Sequence, residues 1–171
     1  MQLELRLLSV LIGTNGIGKT SVLDVFSLLA SSAQGSLNVA LSEVGGLSAL
    51  ITCDHAEELA LGISMEIEKD SQMQRYELRI RQRGPSHIIE REVLHQEHGS
   101  IEYNSIDSHA ADIRYHENGQ LVRPTWDHNP LETSLAQVPK VFLWPEDVRR
   151  KLASSKWQGI WLANGGNIIL E

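Results

Sequence analysis

The stretch Gly13-Thr14-Asn15-Gly16-Ile17-Gly18-Lys19-Thr20 decides the fold of this chain. It fits the pattern G-x-x-x-x-G-K-[ST], in which successive backbone N–H groups form a cradle for phosphate oxygens. Glycines at 13, 16 and 18 allow the chain to curl, because side chains there would obstruct the cradle. Lys19 is then placed to neutralise β- and γ-phosphates, and the Thr20 hydroxyl to bind Mg²⁺. The sequence therefore predicts a phosphate-binding loop, with Ser21 supporting the same turn.

The residues on either side of this loop match the context that the motif requires. Residues 8–12 form a short, almost continuous apolar run, which is typical of a strand covered on both faces. A helix is predicted from Lys19 to about Ala33, with its N-terminus adding positive potential to the phosphate cradle. Its apolar stripe is predicted to comprise Val22, Leu23, Phe26, Leu29 and Ala30.

Composition is that of one globular domain with a sizeable core. The chain has 171 residues, of which 42% are hydrophobic and 22% charged. It has no apolar run of membrane-spanning length and no signal-peptide layout, and its single cysteine, Cys53, excludes an internal disulfide. We therefore expect a cytoplasmic protein. The net charge of −7 argues against wrapping duplex DNA, although it leaves room for a local basic patch.

The periodicity of the remaining chain divides it into three parts. Residues 1–57 hold a half-exposed strand over 1–7, the loop, and helices interrupted at Gly45-Gly46. Residues 58–123 alternate with period two and predict an antiparallel β-meander whose charged residues form a solvated face. Residues 124–171 are expected to be mainly helical, with a helix beginning near Trp144 and a last element that Glu171 cuts off.

Residues 10–24, VLIGTNGIGKTSVLD, resemble the G-x-N-G-x-G-K-[ST] loop of ABC-type, SMC-like and RecF-like ATPases. The asparagine before the middle glycine separates this group from most GTPases and kinases. Segments 45–51, 132–137 and 162–167 look like further landmarks of bacterial AAA-family ATPases of RecF-like type. The resemblance implies an α/β fold: the N-terminal lobe of a P-loop NTPase head, with a strand, P-loop and helix core and an antiparallel β-meander subdomain.

The same resemblance implies Mg²⁺-ATP binding by heads that pair face to face as a homodimer. Such heads also need a signature loop, an acidic Walker B strand and a switch histidine, none of which is convincing here. Residues 163–167 lack the signature serine, and residues 168–171 lack the Walker B aspartate. In residues 141–147, Pro145 removes a backbone donor that a central strand needs. We therefore expect the N-terminal portion of a longer ATPase, whose partner would be the missing C-terminal half and whose parallel core sheet would lack strands.

Three functions remain open at this stage. The leading hypothesis is ATP binding through a Walker A loop as part of an ATP-hydrolysing AAA/ABC-type enzyme, with no catalytic residue assigned. The alternatives are a non-catalytic, truncated nucleotide-binding or protein-interaction module, and the ATPase part of a nuclease like the overcoming-lysogenization-defect proteins. The resemblance also implies that Gln137 contacts Mg²⁺, although an ordinary helix-surface glutamine is the simpler interpretation.

Other candidate sites are weaker. Metal-ligand types occur at Cys53-Asp54-His55 and at His87, His95 and His98, but without the paired spacing of a zinc site. Tryptophans could stack on nucleobases, although Trp157 and Trp161 are spaced as the buried side of a helix. The absence of an Asn-Lys-x-Asp motif disfavours a GTPase.

Overall fold

The computed structural model describes residues 2–5, 19–51, 56–67, 72–98, 101–117, 120–154 and 166–170. Five helices lie in these ranges: α1 (Lys19–Gln34), α2 (Leu37–Glu43), α3 (Leu47–Leu50), α4 (Ser134–Gln137) and α5 (Leu143–Ser154). The strands are β1 (Gln2–Leu5), β2 (Glu58–Ile67), β3 (Gln72–Arg83), β4 (Ser86–His98), β5 (Ile101–His109), β6 (Tyr115–Glu117), β7 (Gln120–Val122) and β8 (Gly166–Leu170).

The eight described strands form one sheet in the order β1-β8-β2-β3-β4-β5-β6-β7. Every pairing among them is antiparallel, including those of β8 with β1 and with β2. The predicted meander is therefore confirmed over β2 to β5, where successive strands pair as neighbours. The expected parallel core sheet is not found among the described strands, because β1 joins the same antiparallel sheet as the meander.

Strand β3 shows the alternation that its sequence predicts. Tyr76, Leu78 and Ile80 are fully buried, whereas Arg75 and Arg79, which alternate with them along the strand, stay partly exposed. The arginines pair with carboxylates on the outer face, Arg75 with Glu77 at 2.6 Å and Arg79 with Glu58 at 3.1 Å. A period of two thus places one row of side chains in the core and the other in a charged face. In β2 this simple alternation fails, since Gly62 and Ser64 are buried together with the apolar residues beside them.

The core lies between one face of this sheet and the helices. Helix α1 contributes Val22, Phe26 and Leu29, which recur at helical spacing and are buried against the strands and α5. Leu23, predicted to belong to this stripe, is 39% exposed, and Leu28 and Ala33 are buried instead. A helix turns by about 100° per residue, so Leu23 falls outside the stripe that Val22 begins.

Element bounds differ from the prediction mainly at short strands. Within the meander range, β6 and β7 have only three residues each, Tyr115–Glu117 and Gln120–Val122. Helix α5 begins at Leu143, and its description ends at Ser154, so Trp157 and Trp161 lie outside the described residues. Among the described helices, none combines the length and the apolar character that crossing a membrane demands.

Candidate functional site

The predicted phosphate-binding loop leads directly into α1. The described part of α1 starts at Lys19, so Lys19 and Thr20 are helical, as the motif requires. The first described turn has no acidic residue of its own that would compete with a phosphate for the positive end of the helix dipole. Ser21 is exposed. Residues 6–18 lie outside the described residues, so the strand over 8–12 and the roles of Gly13, Thr14, Asn15, Gly16, Ile17 and Gly18 stay predictions.

The opposite end of α1 is fixed by a segment that is distant in sequence. The Thr133 hydroxyl donates to the backbone oxygen of Ser32 at 2.7 Å. Glu132, beside it, accepts from the backbone N–H groups of Leu37 at 2.8 Å and Asn38 at 3.2 Å, and so caps α2. Gln34 donates to the backbone oxygen of Ala153 at 2.8 Å. The helix that begins at the loop is therefore held at its C-terminal end by α5 and by residues 132–137.

Residues 132–137 are in turn held by a buried carboxylate on β4. Glu92, which is fully buried, accepts from the N–H groups of Ser134 at 2.5 Å and Leu135 at 2.8 Å. The Tyr76 hydroxyl donates to the same carboxylate at 3.0 Å. Burial raises the pKa of Glu92, and the two N–H donors offset part of that rise. Glu92 thus satisfies the free N–H groups at the start of α4 and joins that short helix to the sheet.

Sequence reasoning missed Glu92, because it assigned charged residues on the meander to a solvated face. In β4 that assignment is wrong for Glu92. His87, considered above only as a possible metal ligand, is also buried, with 5% exposed, and its Nε2 lies 3.1 Å from the Leu131 oxygen. The shift of register between Arg79 and Ile80 in the β3–β4 pairing marks an irregularity that a strict period of two does not follow. The only signal in the sequence is the polar segment 132–134, which is typical of a helix start whose N–H groups need an acceptor.

Gln137, implied by the resemblance to contact Mg²⁺, holds a loop together in the structure. Its amide oxygen accepts from the Asn129 N–H at 2.7 Å, and its amide nitrogen donates to the backbone oxygens of Asn129, Glu132 and Thr133 at 3.1 to 3.2 Å. These contacts make Gln137 a loop-organising residue. Contact with Mg²⁺ stays a prediction, as does the role of Thr20.

The residues considered as metal ligands do not form a metal site in the part of the chain that the structure describes. Within the described residues there is no group of three His, Cys, Asp or Glu side chains that could hold a metal ion. His95 instead places Nδ1 3.0 Å from the Asn104 side-chain oxygen. Cys53, Asp54 and His55 lie outside the described residues.

The segment most similar to a Walker B strand is not a strand. Residues 143–147 form the first turns of α5, and Val141 and Leu143 are 80% and 72% exposed. A Walker B aspartate must follow a buried strand, so this segment does not supply it. The rejection made from Pro145 in the sequence is confirmed. Gly166 and Asn167, from the segment most similar to a signature loop, lie in β8.

Comparison with known proteins identifies a family to which most of the chain is similar. Residues 8–149 match a family model described as "AAA domain, putative AbiEii toxin, Type IV TA system". No curated protein and no solved structure matches the chain. The matched range covers the predicted phosphate-binding loop, α1, the meander and residues 132–137, which is most of the chain. The chain therefore belongs to this AAA-domain family, whose P-loop ATPase-like domains bind nucleotide.

Proposed function

We propose that this chain binds Mg²⁺-ATP through a Walker A loop over residues 13–20. The observation that carries the proposal is that Lys19 and Thr20, directly after the glycine-rich stretch, are helical, and that the first described turn of α1 has no acidic residue. Family membership supports nucleotide binding in general. The backbone N–H groups of the loop would hold the phosphates, Lys19 would neutralise β/γ charge, and Thr20 would bind the magnesium ion.

Binding rather than hydrolysis is the activity we assign to these residues. Hydrolysis needs a carboxylate that polarises the attacking water, and residues 141–147, the nearest sequence match, form a helix in place of the required strand. This supports an ABC- or SMC-like head that completes its catalytic site with other residues or a second copy. A purely non-catalytic nucleotide-binding module is favoured by the same observation and is the second candidate.

Calorimetric titration with ATP and Mg²⁺ tests the assignment of Lys19. Removing a charged hydrogen-bonding group typically costs about 1.5–3 kcal/mol, so Lys19→Ala should weaken ATP binding by about 10- to 100-fold. Lys140→Ala removes the same charge from an exposed position before α5 and should leave the affinity unchanged. A Lys19→Ala protein that binds ATP as tightly as the parent would contradict the proposal.

The magnesium contact of Thr20 needs a separate comparison. Thr20→Ala should weaken ATP binding when Mg²⁺ is present and have little effect when the metal is chelated, whereas Thr20→Ser should restore the parent behaviour. Equal losses with and without Mg²⁺ would show that Thr20 does not act through the metal. Phosphate release followed in the same samples separates an active ATPase from a module that only binds.

A further inference from the structure

The loop from Arg123 to Thr133 is held in place far more firmly than a simple connection requires. Gln137 binds the backbone around Asn129, and the buried His87 reaches the oxygen of Leu131. The buried Tyr115 places its hydroxyl 2.9 Å from His128 Nε2. Loops that a rigid scaffold fixes in one conformation are frequent carriers of binding residues. The loop therefore presents its side chains in a preformed arrangement.

Beside this loop lies an open cavity of about 490 Å³, within the size range of small-molecule sites. Trp126 and His128 contribute to its wall, together with Ile113 and Arg123. The indole of Trp126 lies 5.5 Å from the ring of Tyr115 and 5.4 Å from that of His128, at angles of 28° and 30°. The cavity thus has a planar aromatic group in its wall.

Among the residues described, the rings of Tyr115 and His128 do not sandwich the Trp126 indole. The Tyr115 and His128 ring centroids are 5.8 Å apart, so the three rings form an almost equilateral triangle. Rings on opposite faces of the indole would be separated by nearly the sum of their distances to it. Tyr115 and His128 therefore do not enclose the indole from directly opposite faces, and Trp126 borders the cavity, where a planar ring could pack against it.

Charged side chains line the cavity together with the Trp126 indole. Arg123 is 76% exposed, and its Nε–H donates to Asp112 Oδ1 at 3.0 Å. Its terminal amino groups meet no acceptor among the residues described. Asp112 also pairs with Arg114, and Asp107 acts on Arg114 electrostatically as well, so two carboxylates balance the two guanidinium groups here and the exposed charge is that of Arg123. A guanidinium with free donors suits a phosphate group, and the adjacent carboxylate can accept from a ring amino group.

We propose that this cavity binds a nucleotide unit, with its base against Trp126 and its phosphate on Arg123, as a site separate from residues 13–20. A planar ring next to an anion is the chemistry that an indole and a guanidinium with unused terminal donors would recognise. The unit could come from a free mononucleotide or from single-stranded nucleic acid, since both carry the same groups. The lining residues lie at the β6–β7 edge of the sheet, opposite the edge formed by β1.

The test uses the full chain carrying Lys19→Ala, so that binding at the predicted phosphate loop is weakened and the Trp126 signal reports on the cavity. The four tryptophans are labelled with fluorotryptophan, and the Trp126 signal is assigned by its loss in Trp126→Phe. AMP and a single strand of about ten deoxyadenosines, within the usual range of such sites, serve as probes for ¹⁹F NMR titration. Trp144→Phe, in α5, is the control for the labelling and should leave the Trp126 response intact.

We expect both probes to shift the Trp126 signal and Arg123→Ala to weaken their binding about fivefold or more. The control Arg150→Ala also removes an exposed arginine paired with an aspartate, and should have no effect. Much tighter binding of the strand assigns the site to nucleic acid, and similar affinities assign it to free nucleotides. A Trp126 signal that neither probe moves, or binding that survives in both Trp126→Ala and Arg123→Ala, would overturn the proposal. A response to an acidic aromatic peptide alone would overturn it as well.

Discussion

At the scale of single residues, Glu92 shows how a polar side chain can be placed in a core when its partners are supplied. Two backbone N–H groups and the Tyr76 hydroxyl converge on its carboxylate. The donors at residues 134 and 135 would otherwise be free N–H groups at the start of a buried helix. Because the carboxylate serves both α4 and the sheet, its removal affects more than one element.

Glu92→Gln should lower the free energy of unfolding by about 1–3 kcal/mol, because the new amide group faces an N–H donor that loses its acceptor. Urea denaturation of the parent and the variant measures this difference. Glu97→Gln changes an exposed glutamate on the same strand and should stay within about 0.5 kcal/mol of the parent.

The difference in free energy of unfolding between the parent and Glu92→Gln should decrease as the pH rises. Burial raises the pKa of Glu92 in the folded state, so the folded protein binds the proton more tightly than the unfolded chain. The stabilising contribution of Glu92 to the free energy of unfolding is therefore complete below the ordinary pKa of 4.5. It is lost as the pH rises through the pKa of Glu92 in the folded state. The parent's advantage over Glu92→Gln should shrink over that interval, and an advantage that grows with pH would contradict the assignment of burial as the dominant cause.

Sequence patterns predicted the alternating residues of β3 and missed Glu92, and the difference is physical. Alternation reports which side of a strand faces the core, and Tyr76, Leu78 and Ile80 follow it because their neighbours in the core are apolar. Burial of Glu92 depends on N–H donors that lie about forty residues away in the chain. A local sequence pattern cannot predict this contact between distant residues.

At the scale of elements, residues 132–137 connect α1, α2 and the sheet. Thr133 accepts from the Ala136 N–H and donates to the end of α1, while Glu132 caps α2. The start of α1 was predictable because the glycine-rich loop and the helical stripe meet at Lys19. The contacts at the C-terminal end of α1 were not predictable from the sequence. The hydrogen bonds that hold this end come from residues 132–137, which show no periodic pattern.

Glu132→Ala should lower the free energy of unfolding by about 0.5–2 kcal/mol, as expected for the loss of a helix cap. Both N–H groups at the start of α2 would lose their acceptor. Glu43→Ala, at the exposed C-terminal end of the same helix, is the matched control and should be neutral or slightly stabilising. Equal effects of the two substitutions in thermal unfolding would contradict the capping role.

At the scale of the whole molecule, one antiparallel sheet with helices on one face carries two candidate sites. The predicted phosphate-binding loop precedes α1, and the aromatic cavity lies at the β6–β7 edge of the sheet. The mixed α/β composition and the antiparallel meander were predictable from periodicity, whereas the expected parallel core sheet is not found among the described strands. The continuity of the sheet was not, because β8 pairs with strands that are distant in sequence and separates β1 from β2. The net charge of −7 makes local groups, rather than an overall field, responsible for any binding of anions.

The central claim, that the backbone of residues 13–20 holds the phosphates, is tested most directly by amide NMR of glycine-labelled protein. Mg²⁺-ATP should shift the amide signals of Gly13, Gly16 and Gly18 in the parent, and not in Lys19→Ala at the same concentration. Gly84, in the exposed β3–β4 turn, is the internal control and should not respond. ATP that binds by calorimetry while the three loop signals stay in place would contradict the account.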